Sequence, residues 1–198
     1  MINVYNFTGQ DEEKCRMEAY EQLDVYENEI ITKVYQEEDS YKMDVVKKSE
    51  IEEFISKFLS DITSKMGLNV RINIFEDENI FNVKMNSKNN SILIGKEGRT
   101  LTSLQLLVRQ AIRNITKMNI KVNLDVSNYK SKQEKNFEQE IKKIINEVMT
   151  SKVDTTLDPM NSYQRRIVHT VASNYYNIET ESIGEEPNRR TVIKYVEK

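Results

Sequence analysis

The segment Gly95-Lys96-Glu97-Gly98 constrains this chain more than any other. It lies between an apolar run, residues 91–94, and an amphipathic helix pattern that begins near Leu101. Glycines allow backbone conformations that side chains disfavour, and they let main-chain N–H groups approach another molecule closely. A helix that starts directly behind such a loop adds the partial positive charge of its N-terminus. The pattern therefore predicts a loop that contacts phosphate, with Lys96 and Arg99 beside it; the alternative is a plain tight turn.

Composition excludes several classes of protein. The chain has 198 residues, of which 38% are hydrophobic and 31% charged, as in globular proteins built from one to three modules. No apolar run approaches the roughly 18–20 residues that span a membrane, and the first residues lack the pattern of a secretory signal, so we expect a cytoplasmic location. One cysteine and one histidine allow neither an internal disulfide nor an ordinary zinc site. We expect no metal and no cofactor.

Charge is distributed unevenly along the chain. Residues 1–49 contain 6 Lys and Arg against 12 Asp and Glu, a net charge of −6. Residues 50–128 contain 11 against 9, and residues 129–198 contain 12 against 11, so these parts are weakly basic. Binding to a polyanion would therefore depend on local patches rather than on the field of the whole molecule.

The first 48 residues predict a small β-α-β-β unit. Ile2, Val4 and Phe7 alternate as in a strand, residues 8–10 turn the chain, and the acidic residues 11–13 favour a helix start. That helix is expected to end near residue 23, and strands are expected over residues 29–35 and 41–46. The acidic surface of this unit argues against direct contact with phosphates.

The middle of the chain predicts the order helix, strand, strand, glycine loop, helix, strand. Ser49 and Glu52 fit a capping box, and the helix behind them is expected to stop at Gly67. The apolar positions with helical period are Ile51, Phe54, Ile55, Phe58, Leu59, Ile62 and Met66 in the first helix, and Leu101, Leu104, Leu107, Val108, Ala111, Ile112 and Ile115 in the second. The alternating strand positions are Val70, Ile72 and Ile74; Phe81, Val83 and Met85; and Ile120, Val122, Leu124 and Val126.

The last third predicts one long helix followed by a small mixed unit. The helix is expected over residues 129–151, with lysines on its outer face, and residues 157–159 end that segment. Ser162 is a candidate cap for a helix that runs to Tyr175. Strands are expected over residues 178–182 and 191–196, joined by a turn over residues 184–187.

Three motifs carry a resemblance to known families. The element order around Gly95-x-x-Gly98 resembles a KH domain of the type II topology, α-β-β-α-α-β. Arg165-x-x-x-His169 on one helix face, with Ser182-x-Gly184-x-x-Pro187-x-Arg189 behind it, resembles the R-three-H domain, which binds single-stranded nucleic acids. Together with Asp158-Pro159-Met160-Asn161 between them, these motifs are similar to the bacterial Jag family of SpoIIIJ-associated RNA-binding proteins.

The resemblance implies an α+β architecture of three small modules. The boundaries expected are residues 1–48 for a Jag N-terminal-like domain, 49–127 for the KH domain, 128–153 for a connecting helix and 154–198 for the R-three-H domain. The N-terminal part departs from the family pattern, because residues 41–48 lack the glycine of its Lys-Lys-Gly motif. Partner interactions attributed to that motif are therefore in question for this chain.

The resemblance also implies partners. They are single-stranded RNA, a small KH-domain protein, and a contact of the N-terminal domain with the membrane insertase. Single-stranded DNA as a ligand and a homo-oligomer are left open. The implied role is that of a cytoplasmic post-transcriptional regulator linked to cell elongation or division.

Two groups of cations are candidate nucleic-acid contacts. Arg109, Arg113 and Lys117 follow at a spacing of four, so they form a stripe on one face of a helix. Beside them, Ile94, Leu101 and Leu104 either border a groove for bases or simply fill the core. Arg165 and His169 share a helix face, so both could contact one phosphate, and Arg189 and Arg190 could complete that pocket. The alternatives are a solvated helix surface, a structural histidine, and arginines that solubilise a strand edge.

The sequence favours binding over catalysis. His169 has no evident nucleophile near it, and the chain contains no Walker-type Gly-Lys-Ser/Thr motif. We therefore expect non-catalytic, bivalent binding of single-stranded RNA. The alternatives are an interaction scaffold at the membrane-insertase and cell-division machinery, with weak or vestigial nucleic-acid binding, and, less favoured, a nuclease or phosphatase that uses His169.

Overall fold

A three-stranded antiparallel sheet and one helix open the computed structural model, which describes residues 1–38 and 40–197. The elements are β1 (Tyr5–Gly9), α1 (Glu12–Leu23), β2 (Ile30–Gln36) and β3 (Tyr41–Lys47), and the strand order is β1-β3-β2. The side chain of Asp11 accepts a hydrogen bond from Lys14 N at the start of α1. The first strand begins later than expected, and Thr8 and Gly9 pair with β3 rather than turning the chain.

Both faces of this sheet are covered. Val45 and Val46 are adjacent in β3 and therefore point to opposite faces, yet both are fully buried. Val45 packs under α1 together with Cys15, and burial raises the pKa of that thiol above its usual value. Val46 lies in the same hydrophobic core as the next helix and sheet, and so does Ile2. The acidic segment thus shares a core with the middle of the chain.

The middle of the chain has the predicted order. Its elements are α2 (Lys48–Lys65), β4 (Val70–Asp77), β5 (Ile80–Ser87), α3 (Asn90–Ile94), α4 (Arg99–Thr116) and β6 (Lys121–Val126). β4 and β5 pair antiparallel, whereas β5 and β6 pair parallel, and α2 and α4 cover one face of the sheet. Residues 1–129 form one compact unit. The α-β-β-α-α-β order is that of the type II KH fold.

Two local predictions in this region are wrong. The start of α2 has no capping box at Ser49, because the helix begins at Lys48, directly after β3, and Lys47 makes no side-chain cap. On α4, Leu107 is 50% exposed and Ile115 is 40% exposed, whereas both were expected in the core. The buried stripe of α4 instead follows Leu101, Leu104, Val108, Ile112 and Thr116.

Residues 130–198 form the second compact unit. Its elements are α5 (Tyr129–Ser151), β7 (Thr155–Thr156), α6 (Ser162–Ala172), β8 (Ile178–Ile183) and β9 (Arg190–Tyr195). Helix α5 begins one residue before the first residue of the unit. The sheet order is β7-β9-β8, all antiparallel. Ile145, Val148 and Ile193 lie in the core that the helices and this sheet share.

The second unit differs from expectation at the ends of its central helix. Asn161, not Ser162, caps α6: its side chain accepts from Gln164 N, and the Gln164 side chain accepts from Asn161 N. The helix ends at Ala172, three residues before Tyr175. The α+β fold class is confirmed. No helix in residues 1–38 and 40–197 combines the length and apolarity that a membrane crossing needs.

Candidate nucleic-acid interface

The glycine loop joins two helices through three residues with positive φ. Gly95 ends α3 with φ 72°, Glu97 has φ 54°, and Gly98 precedes α4 with φ 78°. Because Gly98 occupies the capping position and has no side chain, the first turn of α4 has no side-chain cap. The positive end of an 18-residue helix therefore lies at this loop, where Gly98 N donates to Gly95 O at 3.4 Å and Arg99 N donates to Lys96 O.

Packing explains both glycines without a ligand. A Cβ added to Gly95 would lie 2.2 Å from Thr100 Oγ1, and one added to Gly98 would lie 3.0 Å from Tyr129 Cε1. Gly98 is itself buried. The tight-turn alternative is thus sufficient for the glycines, and evidence for phosphate contact must come from the residues between and after them.

The residues between and directly after the two glycines are exposed, and two of their charges pair with each other. Lys96 and Glu97 stand at the tip of the loop, exposed to solvent. Glu97 Oε2 lies 3.4 Å from Arg99 Nη2, with both side chains mostly exposed. The carboxylate therefore turns toward Arg99, and Lys96 at the tip forms no ion pair with any residue in the described part of the chain.

The expected stripe on α4 divides into two environments. Arg109 is half-buried, and its Nε donates to Val122 O at 2.7 Å while Nη2 donates to Asn123 Oδ1 at 3.1 Å. The guanidinium is thus fixed against the edge strand β6 by two neutral acceptors. Arg113 and Lys117 are exposed. The structure favours the core alternative for Leu101 and Leu104, both of which are buried.

In the second unit, Arg165 is held by protein groups. Its side chain is only 9% exposed, and Nη1 donates to Met160 O at 2.7 Å and to Glu186 Oε1 at 2.9 Å. Glu186 belongs to the loop between β8 and β9, and its side chain is 61% exposed. The ion pair therefore has one buried cationic end and one end open to solvent.

His169, one turn further along α6, bonds to strand β8 through both ring nitrogens. Nδ1 lies 2.6 Å from Thr180 Oγ1, and Nε2 lies 3.0 Å from Ser182 Oγ. Alternate strand residues point to the same face, which is why Thr180 and Ser182 both reach the ring. Arg165 and His169 thus share a helix face as predicted, but that face lies against the sheet and the loop rather than open to solvent.

The last two candidates lie at the other end of the same loop. Arg189 is exposed, and its carbonyl accepts from Met160 N at 3.1 Å, which ties the loop to the segment before α6. Arg190 Nε donates weakly to Asn188 O at 3.3 Å. Both arginines keep their charge available beside the Arg165–Glu186 pair.

Sequence reasoning missed the groups that hold these side chains. Thr180 lies eleven residues from His169, Glu186 lies 21 residues from Arg165, and Tyr129 lies beyond β6. Glu186 stands inside the loop motif, so its charge could have indicated a partner for Arg165. No sequence pattern indicated that Tyr129 lies against Gly98. In the residues that the structure describes, no three His, Cys, Asp or Glu side chains are grouped to hold a metal ion.

Comparison with known families agrees with this architecture. A family model described as the KhpA/KhpB KH domain matches residues 52–126, and a model of the R-three-H domain matches residues 135–195. The fold and the two motifs thus define a protein that combines a KH domain with an R-three-H domain.

Curated relatives place the chain more closely. The RNA-binding protein KhpB of Clostridium symbiosum is 35% identical over 149 residues, which cover 74% of this chain and 67% of that protein. Its namesake from Bacillus subtilis (strain 168) is 29% identical, covering 70% and 67%. The KhpB of Streptococcus pneumoniae serotype 2 is 24% identical; the match covers 70% of this chain but only 42% of that longer protein. The chain belongs to the KhpB family, also called the Jag family.

Proposed function

We propose that this chain binds single-stranded RNA without catalysis, through the glycine loop and the Arg165–His169 region, as a cytoplasmic post-transcriptional regulator linked to cell elongation or division. The observation that carries the proposal is the exposed tip of the glycine loop in front of the uncapped N-terminus of α4. Backbone amides and Lys96 supply the donors that a phosphodiester needs. The name that the relatives share, RNA-binding protein, supports the same conclusion.

The two sites act on one strand. A KH loop clamps about four nucleotides of backbone, and a second contact on the same chain gains from effective concentration. At the second site, a phosphate takes the place of the Glu186 carboxylate on Arg165, because both groups offer oxygens that match the guanidinium. Arg189 and Arg190 contact the same stretch of backbone. Domain boundaries at residues 48, 127 and 153 belong to this proposal.

The experiment replaces the charge at the loop tip. Combining Lys96→Asp with Glu97→Asp changes the net charge by two units within about 5 Å of the bound phosphate, which lowers the affinity for single-stranded RNA by about tenfold. Fluorescence anisotropy with a labelled strand measures this. Lys14→Asp makes the same charge change on α1 and is the matched control, and circular dichroism verifies the fold.

A scaffold at the membrane-insertase and cell-division machinery is the rival function, favoured by the acidic first 49 residues and by carboxylates at both sites. Unchanged RNA affinity in the double variant removes the loop from the mechanism. Loss of binding only in Arg165→Ala moves the function to the second unit. A protein that binds no single-stranded RNA at all supports the scaffold.

A further inference from the structure

A basic cavity of about 580 Å³ lies at the opposite end of α4 from the glycine loop. Three separate segments contribute its charged walls: β2 of the acidic N-terminal sheet, the last turn of α4 with the start of β6, and the turn between β4 and β5. The polar lining consists mainly of Lys33, Glu78, Asn79, Arg113, Lys117 and Lys121.

The cavity carries an excess of positive charge. Four cations line it against one carboxylate, Glu78. No carboxylate in the described part of the chain forms an ion pair with any of the four. Lys33 Nζ instead donates to Lys117 O at 3.3 Å, and Lys117 Nζ donates to Asn114 O at 2.9 Å. Carbonyls therefore position these ammonium groups without neutralising them.

The four cations are exposed to solvent, but they converge from separate segments of the chain. The first 49 residues contain six basic residues, and one of them, Lys33, lies beside three cations from residues 113–121. Because like charges repel, bringing these four side chains together costs free energy. The carbonyl end of α4 reduces the cost of that cluster, because cations are favoured at helix C-termini. The volume is also within the range of about 300–1,000 Å³ that small-ligand sites occupy.

We propose that this cavity binds phosphate groups, and that it receives the continuation of the RNA strand held at the glycine loop. This step rests on the proposed function. α4 has 18 residues and is therefore about 27 Å long, so the cavity lies about one helix length from the loop that clamps four nucleotides. Arg109 lies between the two ends, four residues before Arg113 of the cavity wall. Lys33 gives the acidic N-terminal segment a direct part in binding.

The first measurement compares strand lengths. A tetranucleotide occupies only the glycine loop, whereas a strand of about twelve nucleotides also reaches the cavity. Lys33→Gln and Lys121→Gln each lower the affinity for the longer strand about fivefold at 0.1 M salt, and each reduces the slope of log affinity against log salt by about 0.7. Lys14→Gln, which removes the same charge from α1, leaves both values unchanged, and tetranucleotide binding is unaffected in all three variants.

The second measurement separates the strand from a free nucleotide. Inorganic phosphate and AMP are titrated into the full chain, and the amide resonances of Lys33, Lys117 and Lys121 are followed by NMR. Shifts that Lys33→Gln abolishes, with affinity for the longer strand unchanged, overturn the contact with the strand and leave a free phosphate compound as the ligand of the cavity; stronger shifts with AMP than with inorganic phosphate identify it as a nucleotide.

Variants that match Lys14→Gln in both measurements overturn the proposal. Failure of the unaltered chain to bind even the tetranucleotide contradicts the proposed function instead. The phosphate titration then shows by itself whether the cavity binds phosphate.

Discussion

The glycine loop of the first unit and the Arg165–His169 region of the second hold their charged groups in opposite ways. At the loop, the backbone is fixed by packing around Gly95 and Gly98, while Lys96 extends into solvent. In the second unit, the backbone is ordinary helix, while the side chains of Arg165 and His169 are bound by Glu186, Thr180 and Ser182. One region is organised through its main chain and the other through its side chains.

The difference teaches where binding costs free energy. The exposed side chain of Lys96 loses only water when a phosphate arrives, so the loop needs little rearrangement. Arg165 must first release a carboxylate, so the second region trades one charge-assisted bond for another. Net affinity there is the difference between two similar interactions, which predicts a weaker contribution from the second region than from the loop.

The largest expected effect tests whether packing around Gly95 fixes the backbone of the glycine loop. Gly95→Ala adds a Cβ that meets Thr100 Oγ1 at 2.2 Å, at a backbone φ of 72°. We expect the free energy of unfolding of the first unit to fall by about 3 kcal/mol, from backbone strain and the displaced threonine. Urea unfolding followed by circular dichroism measures the loss.

Gly67→Ala is the matched control. Gly67 has nearly the same φ, 73°, but nothing lies within 4 Å of its added Cβ. Its substitution costs about 1 kcal/mol from conformation alone. Equal losses in the two variants would contradict the packing explanation of the glycine loop.

Local patterns allowed the first region to be predicted from sequence better than the second. The glycines, the helix start and the alternating strands are set within a few residues, and the α-β-β-α-α-β order followed from them. Helix phase was less certain: Leu107 lies about 60° around α4 from Leu104, and its side chain falls outside the buried stripe. The sequence pattern alone therefore does not show whether an apolar residue at the edge of the stripe is buried.

Contacts between distant elements could not be predicted. The partners of His169 depend on which residues of β8 face α6, and the pairing of β8 with β9 fixes that register. β7 has two residues, too few for any periodic signal. Likewise, Lys33 lines the basic cavity because the N-terminal sheet is buried on both faces. The only sequence signal of that burial is the pair of adjacent valines in β3.

The second effect concerns the carboxylate on Arg165. Glu186→Gln keeps an oxygen acceptor for Arg165 but removes the negative charge that a phosphate must displace. We expect the affinity for single-stranded RNA to rise about fourfold, from one charge at about 5 Å in water. Anisotropy titrations at constant salt measure it.

Glu185→Gln removes the same charge from the neighbouring exposed position and serves as the control for Glu186. It raises the affinity less, because Glu185 does not pair with Arg165. Equal gains in the two variants would show that loop charge alone matters and that Arg165 keeps its intramolecular partner when RNA binds.

The smallest effect is expected at the loop tip, from Glu97→Gln. Glu97 is 64% exposed and pairs at 3.4 Å with an arginine that is itself 75% exposed, so solvent screens the pair and the carboxylate is free to turn away from a phosphate. The affinity should rise only about twofold. A gain larger than that of Glu186→Gln in the same titration would reverse the comparison, because the loop would then be the region whose cation is occupied and the second unit the one ready to bind.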